Sequence, residues 1–202
     1  MTILETPHLA ARVAFYGMIV CWWAFGLTLW LRKAPPRARE TKRDRTSLVG
    51  LLLQGVAYFV VWNRPLQQGN ISQDIFASPA AQWGWTVLVV AIAVASVWLV
   101  NSAARHLGKQ WALSAHLVEG HTLIQDGPYR FVRNPIYTGM LGMLLATGFA
   151  AGRWVPLLLG TVLFAGGTYI RIHSEERLLR RAFGGEFEEY ERRVPALIPG
   201  IY

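Results

Sequence analysis

The sequence predicts an all-α, polytopic integral membrane protein with five transmembrane helices, a cytoplasmic loop that caps them and a C-terminal amphipathic helix. Three observations lead to this fold class. Of the 202 residues, 53% are hydrophobic and only 16% are charged, which is too apolar for an ordinary soluble domain. The chain contains five apolar runs of about 16–20 residues, close to the length that a helix needs to cross a bilayer. Its basic residues are distributed very unevenly between the two sides of these runs.

The apolar runs give the predicted spans in order. They cover residues 13–31, 47–62, 83–100, 136–151 and 154–170. Trp83 and Trp85 stand at the start of the third span, where aromatic side chains anchor a helix at the membrane interface. The connection Ala151-Gly152-Arg153 is so short that the fourth and fifth spans must form a helical hairpin. We therefore expect residues 1–202 to form one membrane domain.

The basic residues orient the predicted spans. Residues 32–46, 102–135 and 171–202 together hold 17 of the 20 Lys and Arg residues. By the positive-inside rule these three segments are cytoplasmic, which places the N-terminus outside and the C-terminus in the cytoplasm. The basic loop 32–46 is then a topology signal that contacts anionic membrane lipids. The net charge of +8 therefore calls for no nucleic-acid partner. The oligomeric state stays open.

The tail after the fifth span has the pattern of an amphipathic helix rather than of another span. Its apolar residues recur at helical spacing, at Ile172, Leu179, Phe183, Phe187 and Tyr190, which forms one stripe on a helix of 3.6 residues per turn. Glu176 and its basic neighbours fall mostly on other faces. We expect this helix to extend the fifth span or to lie along the interface, with a bend or a break at Gly184-Gly185.

Two polar clusters flank the predicted hairpin and are the candidates for chemistry. The first cluster lies at the end of the 34-residue loop 102–135, whose apolar and aromatic residues predict a cap packed on the helices. Within this cluster Asn134 precedes Pro135. Asn134 therefore either serves only as the cap of the fourth span or takes part in a site. In the second, Arg171 and Glu175 are four residues apart and share a helix face. They form either a surface ion pair or a guanidinium anchor for an anionic substrate.

The residues of these clusters carry a resemblance to a known family. The runs HTLIQDGPYRFVRNPIYTG, residues 121–139, and RIHSEERLLRRAFGGEFEEYERRVPALIP, residues 171–199, resemble the isoprenylcysteine carboxyl methyltransferase family, within the wider group of membrane phospholipid methyltransferases. The resemblance covers residues 108–199. It implies methyl transfer from S-adenosylmethionine to a lipidic or small hydrophobic acceptor at the cytoplasmic face, most like isoprenylcysteine carboxyl O-methylation. Residues 102–199 would then form the cofactor- and substrate-binding half.

The resemblance also implies roles for individual residues. Arg171 would face the substrate, and Arg171 and Glu175 would be catalytic. The implied cofactor contacts are His121, Thr122, Leu123, Ile124, Tyr129, Asn134, Pro135, Ile136, Tyr137 and Glu175. Asn134 replaces a family histidine, and Ser114 stands near a family glutamine, so both departures concern the geometry of the cofactor site. A metal site is not expected, because the single cysteine and the His spacing fit none of the usual ligand patterns.

Several functions remain open from the sequence. A carboxylate acceptor would be oriented by Arg171, whereas an amine or thiol acceptor needs a proton acceptor, for which Glu175 is the nearest candidate. Phospholipid N-methylation and thiol S-methylation are therefore alternatives to carboxyl O-methylation. An NADPH-dependent membrane reductase with a similar Arg-His-Pro-type segment and a non-catalytic membrane protein are alternatives of another class.

Overall fold

The computed structural model describes residues 6–31, 42–43, 46–63, 78–108, 116–117, 122–152 and 154–198. Most of the basic loop 32–46 lies outside these ranges. Within them the chain forms six α-helices, one short 3-10 helix and two strands of two residues each. The elements in chain order are α1 Thr6–Leu31, β1 Lys42–Arg43, α2 Thr46–Trp62, α3 Pro79–Leu107, β2 His116–Leu117, the 3-10 helix Gly127–Arg130, α4 Pro135–Ala151, α5 Trp154–Phe183 and α6 Gly185–Arg193.

Helices α1 to α5 are apolar and confirm the predicted fold class of a polytopic membrane protein. Three of them contain segments long and apolar enough to cross a membrane, namely Leu9–Thr28, Pro79–Leu107 and Trp154–Phe183. The other two, α2 and α4, have 17 residues each, which is at the short end of the range for a spanning helix. The antiparallel strands β1 and β2 pair Lys42 with Leu117 and Arg43 with His116, and so join the segment after α1 to the segment after α3.

Several helices extend beyond the predicted apolar spans because their ends are set by caps rather than by hydropathy. Helix α3 begins at Pro79, where the Ser78 side chain accepts a hydrogen bond from the Ala81 N–H at 3.2 Å, a usual N-terminal cap. Helix α5 continues through its polar half to Phe183. Gly184 then adopts a positive φ of 52°, which favours glycine and separates α5 from α6. The predicted break at Gly184-Gly185 is thus confirmed.

Helices α2 to α5 alternate in direction, so that one end of the bundle gathers the start of α2, the end of α3, the start of α4 and the last turns of α5. A Cβ atom built on Gly50 of α2 would meet the Gly167 carbonyl oxygen of α5 at 2.5 Å, and one built on Gly139 of α4 would meet Val100 of α3 at 2.5 Å. Small residues allow such close approach between membrane helices. We call this end of the bundle the polar end, because Arg171 and Glu175 lie there.

Helix α1 packs along α3 and α4. The Thr86 hydroxyl donates to the Ala10 carbonyl at 3.0 Å, which places the first turns of α1 beside the first turns of α3, away from the polar end. The Trp22 indole N–H donates to the Thr147 hydroxyl at 3.0 Å. Ala14, Cys21 and other buried apolar residues of α1 form the main core with α3 and α4.

The C-terminal helix α6 folds back on the loop that precedes α4. Phe187 and Tyr190 are buried and form a small core with Val194, and Leu123 and Phe183 pack against it. The predicted amphipathic stripe is confirmed in its buried members Ile172, Phe187 and Tyr190. The buried residues of the stripe on α6 therefore pack against the loop that was predicted to cap the bundle.

Candidate functional site

Three side chains at the polar end form one hydrogen-bonded unit. The Arg171 Nε donates to the Tyr137 hydroxyl at 2.8 Å, and this hydroxyl in turn donates to Glu175 Oε1 at 2.5 Å. The Arg171 guanidinium also lies 3.5 Å from Glu175 Oε1 and 5.2 Å from the centroid of the Tyr137 ring. Helix α4 supplies Tyr137 in its first turn and α5 supplies the other two residues, so that the unit ties α4 to α5.

Two of the three side chains in this unit are buried, which excludes an exposed ion pair as the explanation of the spacing between Arg171 and Glu175. Arg171 is only 5% exposed and Tyr137 is also buried. Helix α2 covers Arg171, because Gly50 lies against its Cγ. Breaking a buried charge pair costs several kcal/mol, whereas an exposed pair contributes about 0–1 kcal/mol. The unit is therefore a fixed part of the fold.

Glu175 is the member of the unit that reaches solvent. Its side chain is 27% exposed, against 6% for Arg171. Within the described part of the chain, both contacts of the Glu175 carboxylate are made by Oε1. The carboxylate is thus held in place by one oxygen, and its accessible surface can meet a ligand as a hydrogen-bond acceptor or as a negative charge.

A second buried pair lies beside the first, because its Glu176 directly follows Glu175 on α5, and this pair was not predicted from the sequence. Arg133 Nε donates to Glu176 Oε1 at 2.9 Å, and the two side chains are 7% and 9% exposed. Arg133 also donates to the carbonyls of Glu191 and Val194 at 3.0 and 2.5 Å. The helical pattern predicted that Glu176 and its basic neighbours lie mostly on faces other than the apolar stripe. Glu176 is the exception, because it follows Ile172 by one helical turn on α5 and is buried there with Arg133 as its partner.

The tail after α6 is held by the start of α4. The backbone N–H groups of Arg133 and Asn134 donate to Pro195 and Ala196 at 2.8 and 3.0 Å, and the Asn134 side-chain amide donates to the same Ala196 carbonyl at 3.1 Å. The Thr138 hydroxyl donates to the Leu197 carbonyl at 2.6 Å. Asn134 precedes α4 but makes no side-chain capping bond. The interpretation of Asn134 as only a helix cap is therefore wrong, because its amide is used to bind the tail.

Two tyrosines close the cap from inside. The Tyr190 hydroxyl donates to the Tyr129 carbonyl at 2.6 Å. Burial raises the pKa of both phenols well above the ordinary value for tyrosine, so both remain protonated donors at any physiological pH. Residues 122–134 are thus held against the polar end by the apolar core of α6 and by the bond between Tyr190 and Tyr129.

The predicted cofactor residues fall into two groups. Tyr129, Pro135 and Tyr137 are buried, and the partly buried Leu123 packs against the core of the cap. Thr122 is exposed, and Ile124, Asn134, Ile136 and Glu175 are partly exposed. His121 lies outside the described residues. Among the residues that the structure describes, no group of three or more His, Cys, Asp or Glu side chains is gathered.

The partly exposed residues offer both a charged and an apolar surface. The Glu175 carboxylate is anchored and accessible, and an anionic oxygen of this kind accepts hydrogen bonds from an ammonium group. Ile124 and Ile136 offer apolar surface on the loop and in the first turn of α4.

Comparison with known proteins identifies the family. Residues 85–186, half of the chain, match the family of phospholipid methyltransferases. The chain is similar to a protein-S-isoprenylcysteine O-methyltransferase of Schizosaccharomyces pombe, with 37% identity over 40% of this chain and 34% of that protein. It is also similar to the cobalt-zinc-cadmium resistance protein CzcN of Cupriavidus metallidurans, with 34% identity over 47% of this chain and 44% of that protein.

A third relative is methanethiol S-methyltransferase 2 of Bradyrhizobium diazoefficiens, with 29% identity over 52% of this chain and 43% of that protein. The matches thus span a third to a half of the length of these relatives. The family match includes most of α3, the loop, α4 and α5, and α4 and α5 are the helices that carry Tyr137, Arg171 and Glu175. The chain belongs to the phospholipid methyltransferase family, and its resemblance to the isoprenylcysteine methyltransferases within that group is confirmed.

Proposed function

We propose that this chain is an S-adenosylmethionine-dependent methyltransferase that acts on a lipidic or small hydrophobic acceptor at the cytoplasmic face of a membrane. The observation that carries the proposal is the buried unit of Arg171, Tyr137 and Glu175 at the polar end of an apolar bundle. Ionisable groups are costly at membrane depth and are retained there mainly where they serve a ligand or a reaction. The basic segments 102–135 and 171–202 leave the bundle at this same end, which supports the cytoplasmic assignment.

The residues of the site supply binding and alignment. S-adenosylmethionine, when bound, supplies an electrophilic methyl group. Glu175, whose carboxylate is held by Tyr137, would bind the cofactor through its accessible surface, with Ile124 and Ile136 against the apolar part. The cap formed by residues 122–134 and α6 would exclude water from the transfer. Transfer between two bound groups requires alignment above all, and correct placement alone can lower the barrier by roughly 7–11 kcal/mol.

The acceptor group decides what else the site must do. A carboxylate acceptor is already in its reactive ionisation state, so it needs a fixed cation and no base. Arg171 is the nearest such cation, and its engagement with Tyr137 orients it. This favours carboxyl O-methylation of an isoprenylcysteine-like molecule, the activity that the name of the S. pombe relative states. The apolar chain of such a substrate would lie among the membrane helices.

A second candidate is S-methylation of a small thiol. The name of the B. diazoefficiens relative states this reaction, and that match covers slightly more than half of the chain. The burial of Arg171 favours the same candidate, because a buried guanidinium that already binds Tyr137 and Glu175 offers less to an anionic acceptor. In this case Glu175 would accept the thiol proton at its accessible carboxylate. Phospholipid N-methylation would place the same demand on Glu175.

The test is a labelled-methyl assay on membranes that contain the protein, with labelled S-adenosylmethionine as the donor. Label in a prenylated cysteine ester supports O-methylation, label in a volatile thioether supports S-methylation, and label in a lipid head group supports N-methylation. Binding of S-adenosylhomocysteine in detergent, measured by calorimetry against NADPH, distinguishes a methyltransferase from a reductase. Binding of neither molecule, together with the absence of label in all three fractions, would contradict the proposed function.

The location of the cofactor site is tested separately with Tyr137→Ala and His121→Ala. Both residues belong to the run that resembles the methyltransferases. Both variants should bind S-adenosylhomocysteine more weakly than the wild type, and a cooperative unfolding transition in detergent shows that each variant is folded before its affinity is compared. Unchanged affinity in both would place the cofactor elsewhere on the chain.

A further inference from the structure

Helix α2 lies outside residues 85–186, which match the family, and yet it forms one wall of the candidate site. Its buried side faces α5 along its whole length and consists of Ser47, Gly50, Gln54, Ala57 and Val61. The Gln54 amide donates to the Thr168 hydroxyl at 2.9 Å, and both residues are fully buried. This bond fixes how far α2 is shifted along α5. As a result Gly50 stands directly against the turn of α5 that carries Arg171.

Gly50 has no room for a side chain. A Cβ atom built on it would lie 2.6 Å from Arg171 Cγ and 2.5 Å from the Gly167 carbonyl oxygen. Two carbon atoms in contact prefer a separation of about 3.5–4.0 Å. A methyl group at position 50 would therefore displace the Arg171 stem by about 1 Å or push the two helices apart by a similar distance.

The displacement has a direct chemical consequence because Arg171 is held from two sides. Gly50 contacts the Arg171 stem, and Tyr137 and Glu175 bind its guanidinium. The bond from Arg171 Nε to the Tyr137 hydroxyl is 2.8 Å long. A shift of the Arg171 side chain by about 1 Å away from Tyr137 would take this bond beyond hydrogen-bond distance. The hydroxyl that orients Glu175 would then lose its own donor.

We propose that Gly50 is a positioning residue of the site, so that α2, in the half of the chain outside the family match, sets the geometry of Arg171, Tyr137 and Glu175. The inference rests on the proposed function, since it assigns a second element to the same site. Gly50 touches neither acceptor nor cofactor in this role. It acts by leaving the space in which Arg171 is held.

The experiment compares Gly50→Ala with Gly55→Ala in the labelled-methyl assay. Gly55 lies on the same helix and is exposed, and a Cβ atom there would meet nothing within 4 Å. We expect Gly50→Ala to lower kcat roughly 100-fold, since a misplacement of about 1 Å can cost that much. Gly55→Ala should keep wild-type kcat and KM. Wild-type kcat in Gly50→Ala would overturn the inference.

A second comparison separates positioning from a general loss of packing. Tyr137→Phe should lower Tm in the wild-type background by several degrees and much less in the Gly50→Ala background, because Arg171 has already left the hydroxyl. Equal decrements in the two backgrounds would show that Gly50 does not act through this unit, and would overturn the inference. This readout needs no activity. Absence of methyl transfer by the wild type would therefore contradict the proposed function and leave the inference tested by Tm alone.

If Gly50→Ala does not fold, Gln54→Ala provides the test without introducing a clash. It removes the bond that fixes the register of α2 on α5. A several-fold loss of kcat, together with a smaller Tm decrement for Tyr137→Phe, supports the inference. The inference would be overturned if Gln54→Ala kept the wild-type kcat and if Tyr137→Phe lowered Tm by the same amount in the Gln54→Ala background as in the wild type. Gly166→Ala serves as the control on α5, since a Cβ atom there would also meet nothing within 4 Å.

Discussion

Tyr137→Phe is the sharpest perturbation of the site, because it removes one oxygen atom and leaves the shape of the side chain unchanged. The lost hydroxyl donates to Glu175 at 2.5 Å and accepts from Arg171 at 2.8 Å. Each bond involves a charged partner, for which the usual contribution is about 1.5–3 kcal/mol. Arg171 and Glu175 are already 3.5 Å apart, so their closer approach would offset part of the loss. We expect a net loss of about 3 kcal/mol in the free energy of unfolding.

The stability effect is measured by thermal unfolding in detergent. For a chain of this size each kcal/mol corresponds to roughly 2–4 °C, so Tm should fall by roughly 6–12 °C. The matched control is Tyr58→Phe, which removes one neutral hydrogen bond, 2.7 Å long, to the Met140 carbonyl. That bond is worth about 1 kcal/mol and involves neither Arg171 nor Glu175, so the control should lose only a few degrees.

The kinetic effect is measured by the labelled-methyl assay on the same two variants. Without the Tyr137 hydroxyl the Glu175 carboxylate loses the donor that holds Oε1. We expect kcat/KM to fall between about 10- and 150-fold, the factor that corresponds to one hydrogen bond to a charged group. Tyr58→Phe should keep the wild-type value. The reasoning would be refuted if the two variants had the same Tm and the same kcat/KM.

Three further predictions follow from the charges at the polar end. Arg171→Ala should lower kcat/KM by about 10- to 150-fold, and Arg171→Lys should recover only part of it, since an ammonium group cannot reproduce a planar fork; wild-type turnover in both would remove Arg171 from the site. Arg133→Ala should lower the free energy of unfolding by about 3–5 kcal/mol, because it leaves Glu176 buried without its cation, and it should expose the tail to proteolysis. The same change at the exposed Arg193 should have neither effect. Equal protection of the two variants from proteolysis would contradict the role of Arg133 in binding the tail. A reporter fused after Tyr202 should behave as cytoplasmic, and a signal from the opposite side of the membrane would overturn the proposed topology.

The elements of this fold follow from local patterns in the chain. Apolar runs of membrane length predicted α1 to α5, and the spacing of Phe187 and Tyr190 predicted the buried face of α6. Each of these signals lies within one or two dozen consecutive residues. The helix ends were predicted less well, because hydropathy measures the apolar centre of a helix, whereas Ser78 and Gly184 set its limits.

The candidate site was predicted only in part. The i,i+4 spacing placed Arg171 and Glu175 on one face of a helix, and the resemblance included Tyr137 among the cofactor residues. Neither signal indicated that the Tyr137 hydroxyl stands between the two charges. Spacing along one helix says which side chains are neighbours on that helix. It does not say which side chain of another helix will reach them.

By itself the sequence determined which segments are apolar, which are basic and which resemble the methyltransferases. Only the tertiary structure decided which polar groups are buried together. Three of these contacts join residues more than 40 positions apart in the chain. They are the pair of Arg133 with Glu176, the bond from Asn134 to Ala196 and the contact of Gly50 with Arg171. Such contacts depend on the rotation and shift of each helix against its neighbour. These quantities are fixed by close packing at residues such as Gly50 and Gly167, and a change of one residue in the register would place a different side chain at the same point.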